Sequence, residues 1–398
     1  MRGATWLLAA AAVVLALAGC APGALVPGPS PAATQPRPDA TATAAPSPEP
    51  EPAAAPVLLT TLAASDGLAI VDPDADEPVL DVVEVGQAPW GVAAAEGTAY
   101  VATAEGLAVV DLAARERTAL VPYLHQPAEA GFGEYRDGGL GVAVSPDGAH
   151  VFVAVHRWPD PAWLEAYDVA EGAFTGSVGV GVRPFDVLAD PDGEWVATID
   201  HDSYTVSVVD AAALEAAGGA GGGGAAAPEI VRHEIAPFGN LGFAGWEKPH
   251  YAAITGDGRI ALPYQGLVMV LLDPATGATE RVPMAANSHS HGVTAAPDGR
   301  LVTVGTGAFG TATGAPGVSL LDPGTREEQV VTLERPHETA AIWQPDAGGG
   351  WQAVLAGGFT RDGWWDGLTV VDPASGAVRE IALDGRPQAI VAAALPAP

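Results

Sequence analysis

The chain repeats one short pattern seven times, and this repetition limits the folds open to it more than any other feature. The copies open at Ala88, Gly138, Arg183, Lys248, Ser290, Arg335 and Arg386. An apolar run follows each opening, and most copies then carry a turn such as Asp147-Gly148 or Asp192-Gly193, which suits a tight β-hairpin. A third run ends in Val-Asp or Leu-Asp, and a fourth, alternating run closes the unit. Four antiparallel strands per repeat are typical of one β-propeller blade.

Counting these units predicts the architecture. Six complete units lie between residues 88 and 383. Residues 57–85 form an incomplete unit that has no first strand. Residues 388–395 form a single strand of a unit whose other three strands do not follow it. We therefore predict an all-β, seven-bladed β-propeller of four-stranded antiparallel blades, with the ring closed by the N- and C-terminal strands in one blade. The one helix-like stretch, residues 211–217, runs into a glycine tract and is predicted to be a loop insertion.

The strand sequences add a family resemblance. Residues 195–198 (Trp-Val-Ala-Thr) followed by residues 205–210 (Thr-Val-Ser-Val-Val-Asp) resemble the YVTN family of seven-bladed propellers. The resemblance covers residues 57–398. It implies the propeller fold and is silent on function.

The N-terminus predicts export. Arg2 precedes an apolar stretch over residues 5–17, which ends in Leu17-Ala18-Gly19-Cys20 and resembles a bacterial lipobox. The resemblance implies that residues 1–20 are a lipoprotein signal peptide and that Cys20 carries the lipid; the alternative is an ordinary signal peptide that contains a Cys. Residues 21–56 are rich in Pro, Ala and Thr and are predicted to be a disordered tether. The folded part would then be held at the cell envelope, in the periplasm or on the outer face of the membrane.

Composition excludes several function classes. The chain has 398 residues, with 17 basic and 48 acidic side chains and a formal net charge of −31, so it lacks the basic surface of a nucleic-acid binder. A single Cys excludes a disulfide scaffold. The sequence has no phosphate loop, dinucleotide fingerprint or Ser-His-Asp pattern at diagnostic spacing, which favours a role other than catalysis. We expect a monomer that contacts the membrane only through its lipid.

Histidine recurs at one position of the repeat. The residue that leads into the innermost strand of each unit is, in order, Trp90, Leu140, Phe185, His250, His291, His337 and Gln388. Three consecutive imidazoles in this register would lie at one mouth of the central channel and could converge on one metal ion. His289 lies two residues before His291, on the same side of an extended segment, and could add a fourth nitrogen. Imidazole donors without thiols suit zinc, with copper or nickel as alternatives.

Two acidic residues adjoin this pattern. Glu338 follows His337 and would face the opposite side of a regular strand. Glu247 precedes the Lys248-Pro249-His250 motif. Both are predicted to orient the metal ligands through hydrogen bonds rather than to bind the ion themselves.

The same motifs carry a second, narrower resemblance. Residues 247–250 (Glu-Lys-Pro-His), 289–293 (His-Ser-His-Gly-Val) and 336–338 (Pro-His-Glu) are similar, in the same order, to the channel-facing His motifs of the periplasmic zinc chaperones that serve Azt-type zinc importers. The resemblance implies that His250, His291 and His337 bind zinc. It also implies that the ion is handed to the solute-binding protein of an ABC transporter.

These observations lead to one principal hypothesis and two alternatives. The principal hypothesis is an extracytoplasmic, lipid-anchored metal-binding propeller that acts as a zinc chaperone for a zinc ABC importer. One alternative is a YVTN-type protein-interaction scaffold without metal. The other is a lactonase or lyase in which a metal acts as Lewis acid and Glu338 as general base.

Overall fold

Seven four-stranded antiparallel sheets make up the protein in a computed structural model. The structure describes residues 54–158, 160–217, 228–235, 249–264, 267–286, 292–305, 315–346, 348–359 and 364–396. Each sheet is one blade, and the first strands of successive blades contact one another around a central axis. The predicted all-β, seven-bladed β-propeller is therefore confirmed.

The strands follow chain order within each blade, apart from the shared first blade. Blade 1 contains β1 (Ala55–Leu62), β2 (Gly67–Val71), β3 (Val79–Glu84) and the C-terminal β28 (Pro387–Leu395). Blade 2 contains β4 (Val92–Ala95), β5 (Thr98–Ala102), β6 (Leu107–Asp111) and β7 (Glu116–Val121). Blade 3 contains β8 (Gly138–Val144), β9 (His150–His156), β10 (Trp163–Asp168) and β11 (Ala173–Gly179). Blade 4 contains β12 (Pro184–Ala189), β13 (Trp195–Asp200), β14 (Thr205–Asp210) and β15 (Ile230–Glu234).

The remaining three blades have the same order. Blade 5 contains β16 (Ala253–Ile254), β17 (Ile260–Tyr264), β18 (Val268–Leu272) and β19 (Thr279–Pro283). Blade 6 contains β20 (Val293–Ala295), β21 (Leu301–Gly305), β22 (Gly317–Leu321) and β23 (Glu328–Thr332). Blade 7 contains β24 (Thr339–Trp343), β25 (Gln352–Ala356), β26 (Leu368–Val371) and β27 (Val378–Ile381).

The two chain ends close the ring in blade 1. Strand β28 pairs antiparallel with β1, with Ala392 opposite Leu58 and Ile390 opposite Thr60. Because β28 pairs with β1 as the innermost strand, blade 1 has four strands like the other six blades. This is the closure that the incomplete first and last repeats predict.

The core lies between the faces of neighbouring blades. Middle strands such as β17 and β21 are buried along their whole length, because both faces of the sheet are covered. Outer strands alternate between covered and solvent-facing residues, as β11 does. One apolar cluster joins blades 7 and 1 and includes Leu58, Trp343 and Ile390. The hydrophobic effect therefore holds each blade to the next.

Blade 4 carries the one helix among the described residues, where the sequence predicts only a loop insertion. Helix α1 (Ala211–Ala216) follows β14 directly, and its first turn is capped by the Asp210 carboxylate, which accepts a 2.8 Å hydrogen bond from the amide of Ala213. Burial of Leu214 against blade 3 holds this six-residue helix in place. In the part of the chain that the structure describes, no helix has the length and apolar character needed to cross a membrane.

Truncation of Ile390 tests the closing blade. Ile390 is buried between blades 7 and 1, so Ile390→Ala is expected to lower the free energy of unfolding by about 2–5 kcal/mol. The matched control is Val330→Ala on the half-exposed face of β23. This substitution should change the free energy of unfolding by less than about 0.5 kcal/mol. Urea titration followed by Trp fluorescence measures both. Equal effects of the two substitutions would contradict a closure that depends on this packing.

Candidate functional site

The candidate site lies at the end of the ring where the innermost strands begin. Trp90, Leu140 and Phe185 hold the repeat position that leads into these strands in blades 2, 3 and 4, and they form one buried apolar cluster. The rings of Trp90 and Phe185 are 6.4 Å apart between centroids. The shared register in the sequence thus brings these side chains together around the axis.

His250 extends this cluster into blade 5. Its ring is fully buried and stacks on Phe185 at 3.9 Å between centroids, with an interplanar angle of 18°. The ring of His201 meets it edge to face at 4.3 Å. The Nδ1 atom of His250 lies 3.8 Å from a carboxylate oxygen of the buried Glu134. A second imidazole and a carboxylate therefore flank His250.

His201 is held in a defined orientation. It follows β13 directly, and its Nδ1 lies 2.6 Å from the Asp202 carboxylate. Because a carboxylate only accepts hydrogen bonds, Nδ1 carries the proton and, in the neutral imidazole, Nε2 carries the lone pair. Arg183 forms an ion pair with the same carboxylate. This is the arrangement in which proteins hold imidazoles that bind metal ions.

Glu134 belongs to the loop between β7 and β8, of which residues 131–137 are called the covering segment. Arg136 fixes this segment: its guanidinium donates hydrogen bonds to the carbonyls of Ala88 (2.9 Å) and Gly139 (2.7 Å). Burial lowers the pKa of Arg136 to about 10, which leaves it charged at neutral pH. Carbonyl acceptors on two sides compensate for the burial of that charge.

Aromatic contacts hold the covering segment against the end of the propeller. Phe132 meets Phe359 edge to face at 5.2 Å, and Tyr135 meets Phe185 in the same way at 6.2 Å. The guanidinium of Arg183 lies over the Tyr135 ring, 4.7 Å from its centroid. The segment therefore lies across the apolar cluster.

His337 lies in a different environment from His250. Its Nε2 pairs with the hydroxyl of Thr369 in β26 at 2.7 Å, and its ring meets Trp365 edge to face at 5.3 Å. It lines a cavity of about 380 Å³ together with Arg335 and the outer-strand residue Arg379. Burial lowers the pKa of His337 to about 3, so the imidazole is neutral at physiological pH.

Glu338 is buried near the channel. The carboxylate raises the pKa of Tyr251, although burial of the phenol is the larger cause. Tyr251 accepts a 2.9 Å hydrogen bond from the side-chain amide of Gln388, which holds the last of the seven repeat positions. Gly358 approaches so closely that a Cβ there would lie 2.4 Å from the Cβ of Glu338, and its φ of +85° also favours glycine. Glu338 is thus enclosed by the neighbouring backbone and beside Tyr251.

The channel itself contains a cavity of about 190 Å³, lined by Asp186, Tyr251 and Thr339 among others. Asp186 accepts hydrogen bonds from the amides of Val187 (2.9 Å) and, across the blade boundary, Ala252 (3.0 Å). Burial raises the pKa of Asp186 to about 7. The carboxyl group therefore joins blades 4 and 5.

The remaining predicted site residues lie outside the described residues. These are His289, His291, Glu247 and the lipidation site Cys20. Within the described ranges, no group of three or more His, Cys, Asp or Glu side chains is arranged to hold a metal ion. The contacts described above join His250 to His201 and Glu134, and they place His337 beside Thr369. Zinc ligation by the four predicted histidines stays a prediction.

Sequence reasoning did not single out His201 or Glu134. A signal for His201 existed, because the second strand of a blade ends at the same mouth where the first strand begins. Asp200-His201 stands at that strand end. Glu134 had no such signal, since it comes from a loop that the repeat does not specify.

Comparisons with known proteins show the fold alone. No protein-family model matches the chain, and no curated protein matches it. A solved structure of a functionally unknown protein from Desulfotomaculum acetoxidans DSM 771 is similar, with a TM-score of 0.60 and 10% sequence identity. The match covers 86% of this chain and 99% of that one. The class that fold and comparison define is the β-propeller.

Buried neutral histidines predict a loss of stability in acid. Burial lowers the pKa of His337 to about 3 and that of His156 to about 4, against about 6.5 in an unfolded chain. As pH falls below about 6.5 the unfolded chain binds protons that the folded protein does not, so the free energy of unfolding falls. Between pH 7 and pH 5, His337→Leu should reduce this fall by about 2 kcal/mol.

Urea unfolding of the wild type and His337→Leu at the two pH values measures the difference. The control is Thr369→Val, which removes the hydroxyl bonded to the imidazole but keeps the titrating group. It should lower stability at both pH values by about 1–3 kcal/mol without changing the pH dependence. If the stability of His337→Leu depends on pH as that of the wild type does, His337 has the same pKa in the folded and unfolded protein, which would contradict the prediction.

Proposed function

We propose that the protein binds a divalent transition-metal ion, in the first place zinc, at the end of the propeller where His250 lies. The observation that carries the proposal is the surroundings of His250. The ring of His201 lies 4.3 Å away between centroids, and a carboxylate oxygen of the buried Glu134 lies 3.8 Å from Nδ1 of His250. Nitrogen and oxygen donors without thiols suit zinc, with copper or nickel as alternatives. The other proposed ligands are His291, His289 and His337.

The ion would be cargo for delivery. The short motifs around His250, His291 and His337 are similar to those of zinc chaperones that serve Azt-type importers, which supports transfer to a zinc-binding solute-binding protein. The formal net charge of −31 would raise the local concentration of cations around the protein. Neutral imidazoles are required for binding, so protons would compete with the ion as pH falls.

Zinc titration tests the proposal. Protein purified without a His tag should bind zinc, and competition with a chelator should give its stoichiometry and affinity. The triple variant His250→Ala, His291→Ala, His337→Ala should bind at least about 100-fold more weakly, because imidazole donors are lost. The matched control is His233→Ala in β15, whose ring pairs with the carbonyl of Pro274 away from the site. Unchanged affinity and stoichiometry in the triple variant would refute the site.

The anchor has a separate test. If Cys20 carries lipid, the wild type should fractionate with membranes and Cys20→Ser should be released or remain unprocessed. Immunoblots of membrane and soluble fractions measure this. Membrane association that persists unchanged in processed Cys20→Ser would contradict lipid anchoring.

A further inference from the structure

We propose that a cavity at the other end of the propeller binds a pyranose ring of a neutral saccharide. The cavity has a volume of about 420 Å³ and lies where blades 6, 7 and 1 meet. Its walls come from the β20–β21, β24–β25, β26–β27 and β2–β3 turns. Strand β24 begins beside His337 and ends at this cavity with Trp343, so the cavity and the proposed metal site lie at opposite ends of the innermost strands.

Two indole rings line the cavity, and each is oriented by a carboxylate. The Nε1 of Trp343 donates a 2.7 Å hydrogen bond to Asp74, and the Nε1 of Trp351 donates a 3.0 Å hydrogen bond to Asp298. Both indoles are also packed into the apolar clusters between blades, which fixes the planes of their rings. Together with two proline rings they give the cavity rigid apolar walls, which suit the C–H faces of a sugar ring.

An acceptor without a partner points to a ligand. Gln352 lines the same cavity, and its Oε1 atom is buried with no hydrogen-bond partner among the described residues. A buried amide oxygen that stays unpaired is destabilising, because it has lost its hydrogen bonds to water. A hydroxyl group bound in the cavity would donate to this oxygen and remove that penalty.

The charged groups of the cavity offer both donors and acceptors. Arg300 donates to Asp298 through Nε (3.0 Å) and Nη2 (2.8 Å), and its Nη1 has no such bond within the described residues. The Oδ1 of Asp372 accepts the amides of Ala374 and Ser375, which lowers the pKa of Asp372 and keeps it ionised, so Oδ2 remains an acceptor. An anion would need donors alone and a cation acceptors alone. Sugar hydroxyls both donate and accept, so this mixed lining favours a neutral polyol.

The cavity between blades 3 and 4 provides an internal comparison. Trp195 begins the second strand of blade 4, just as Trp351 directly precedes that of blade 7. This second cavity, of about 250 Å³, has no basic or amide side chain among the described residues that line it. Its charged lining residues are all acidic: Asp147, Asp190, Asp192 and Glu215. A tryptophan at this repeat position is therefore not sufficient, and we expect no saccharide to bind there.

Titration with maltose, cellobiose and N,N′-diacetylchitobiose, followed by calorimetry and Trp fluorescence, tests the proposal. The wild type should bind at least one of them with a Kd below about 1 mM. Gln352→Leu, which removes the unpaired acceptor at similar size, and Arg300→Met should each weaken binding about tenfold. The matched control is Trp195→Phe in the other cavity, which should leave the affinity unchanged. Sedimentation with insoluble peptidoglycan shows whether the ring belongs to a polymer or to a free sugar.

The outcomes are independent of the proposed metal binding, because all titrations contain a chelator. Absence of saturable binding of every saccharide by the wild type, soluble or sedimented, would overturn the proposal. Equal affinities of the wild type, Gln352→Leu and Arg300→Met would also overturn it. Thermal unfolding separates ligand loss from misfolding: Gln352→Leu breaks no hydrogen bond of the free protein within the described residues, so its Tm should not fall below that of the wild type.

Discussion

The close approach of the innermost strands around the axis is the constraint on which the rest of the structure depends. Neighbouring first strands come so near that a Cβ at Gly141 would lie 2.5 Å from the backbone of Asp186, and one at Gly292 would lie 2.7 Å from Thr339. Such contacts are tolerated only where glycine occupies the position. They hold the starts of the strands at fixed places around one mouth, which is why the cluster of Trp90, Leu140 and Phe185 forms there.

The repeats made the fold predictable, and they made part of the site predictable. A position that recurs in every blade must recur around the axis. The repeat therefore predicts that His250 and Phe185 lie at the same mouth, where their rings stack. It could not indicate the rotamer of His337, which is directed by a single hydroxyl in β26, Thr369. Nor could it place Glu134, because a loop between blades has no counterpart in the repeat. Sequence periodicity specifies backbone positions here, while side-chain direction depends on neighbours that differ from blade to blade.

Two buried carboxyl groups among the described residues, Asp200 and Glu134, have different surroundings. Asp200 accepts hydrogen bonds from the hydroxyls of Thr198 (2.7 Å), Thr205 (3.0 Å) and Ser207 (2.6 Å), all within blade 4. Burial raises its pKa to about 6 in spite of these bonds, and the carboxyl group joins β13 to β14. Glu134 differs because it lies on the loop between blades 2 and 3, and its carboxylate oxygen is 3.8 Å from Nδ1 of His250 at the start of blade 5.

A site built from several blades links ligand binding to the integrity of the ring. His201 belongs to blade 4 and His250 to blade 5, while the covering segment is fixed through Arg136 to carbonyls at the start of blades 2 and 3. These residues are far apart in sequence, so a ligand that contacted them together would bind the closed ring only. By mass action such a ligand stabilises the folded state in proportion to the logarithm of its concentration over its dissociation constant. The pairing of β28 with β1 then supports the site as well as the fold, because an open ring would let neighbouring blades separate.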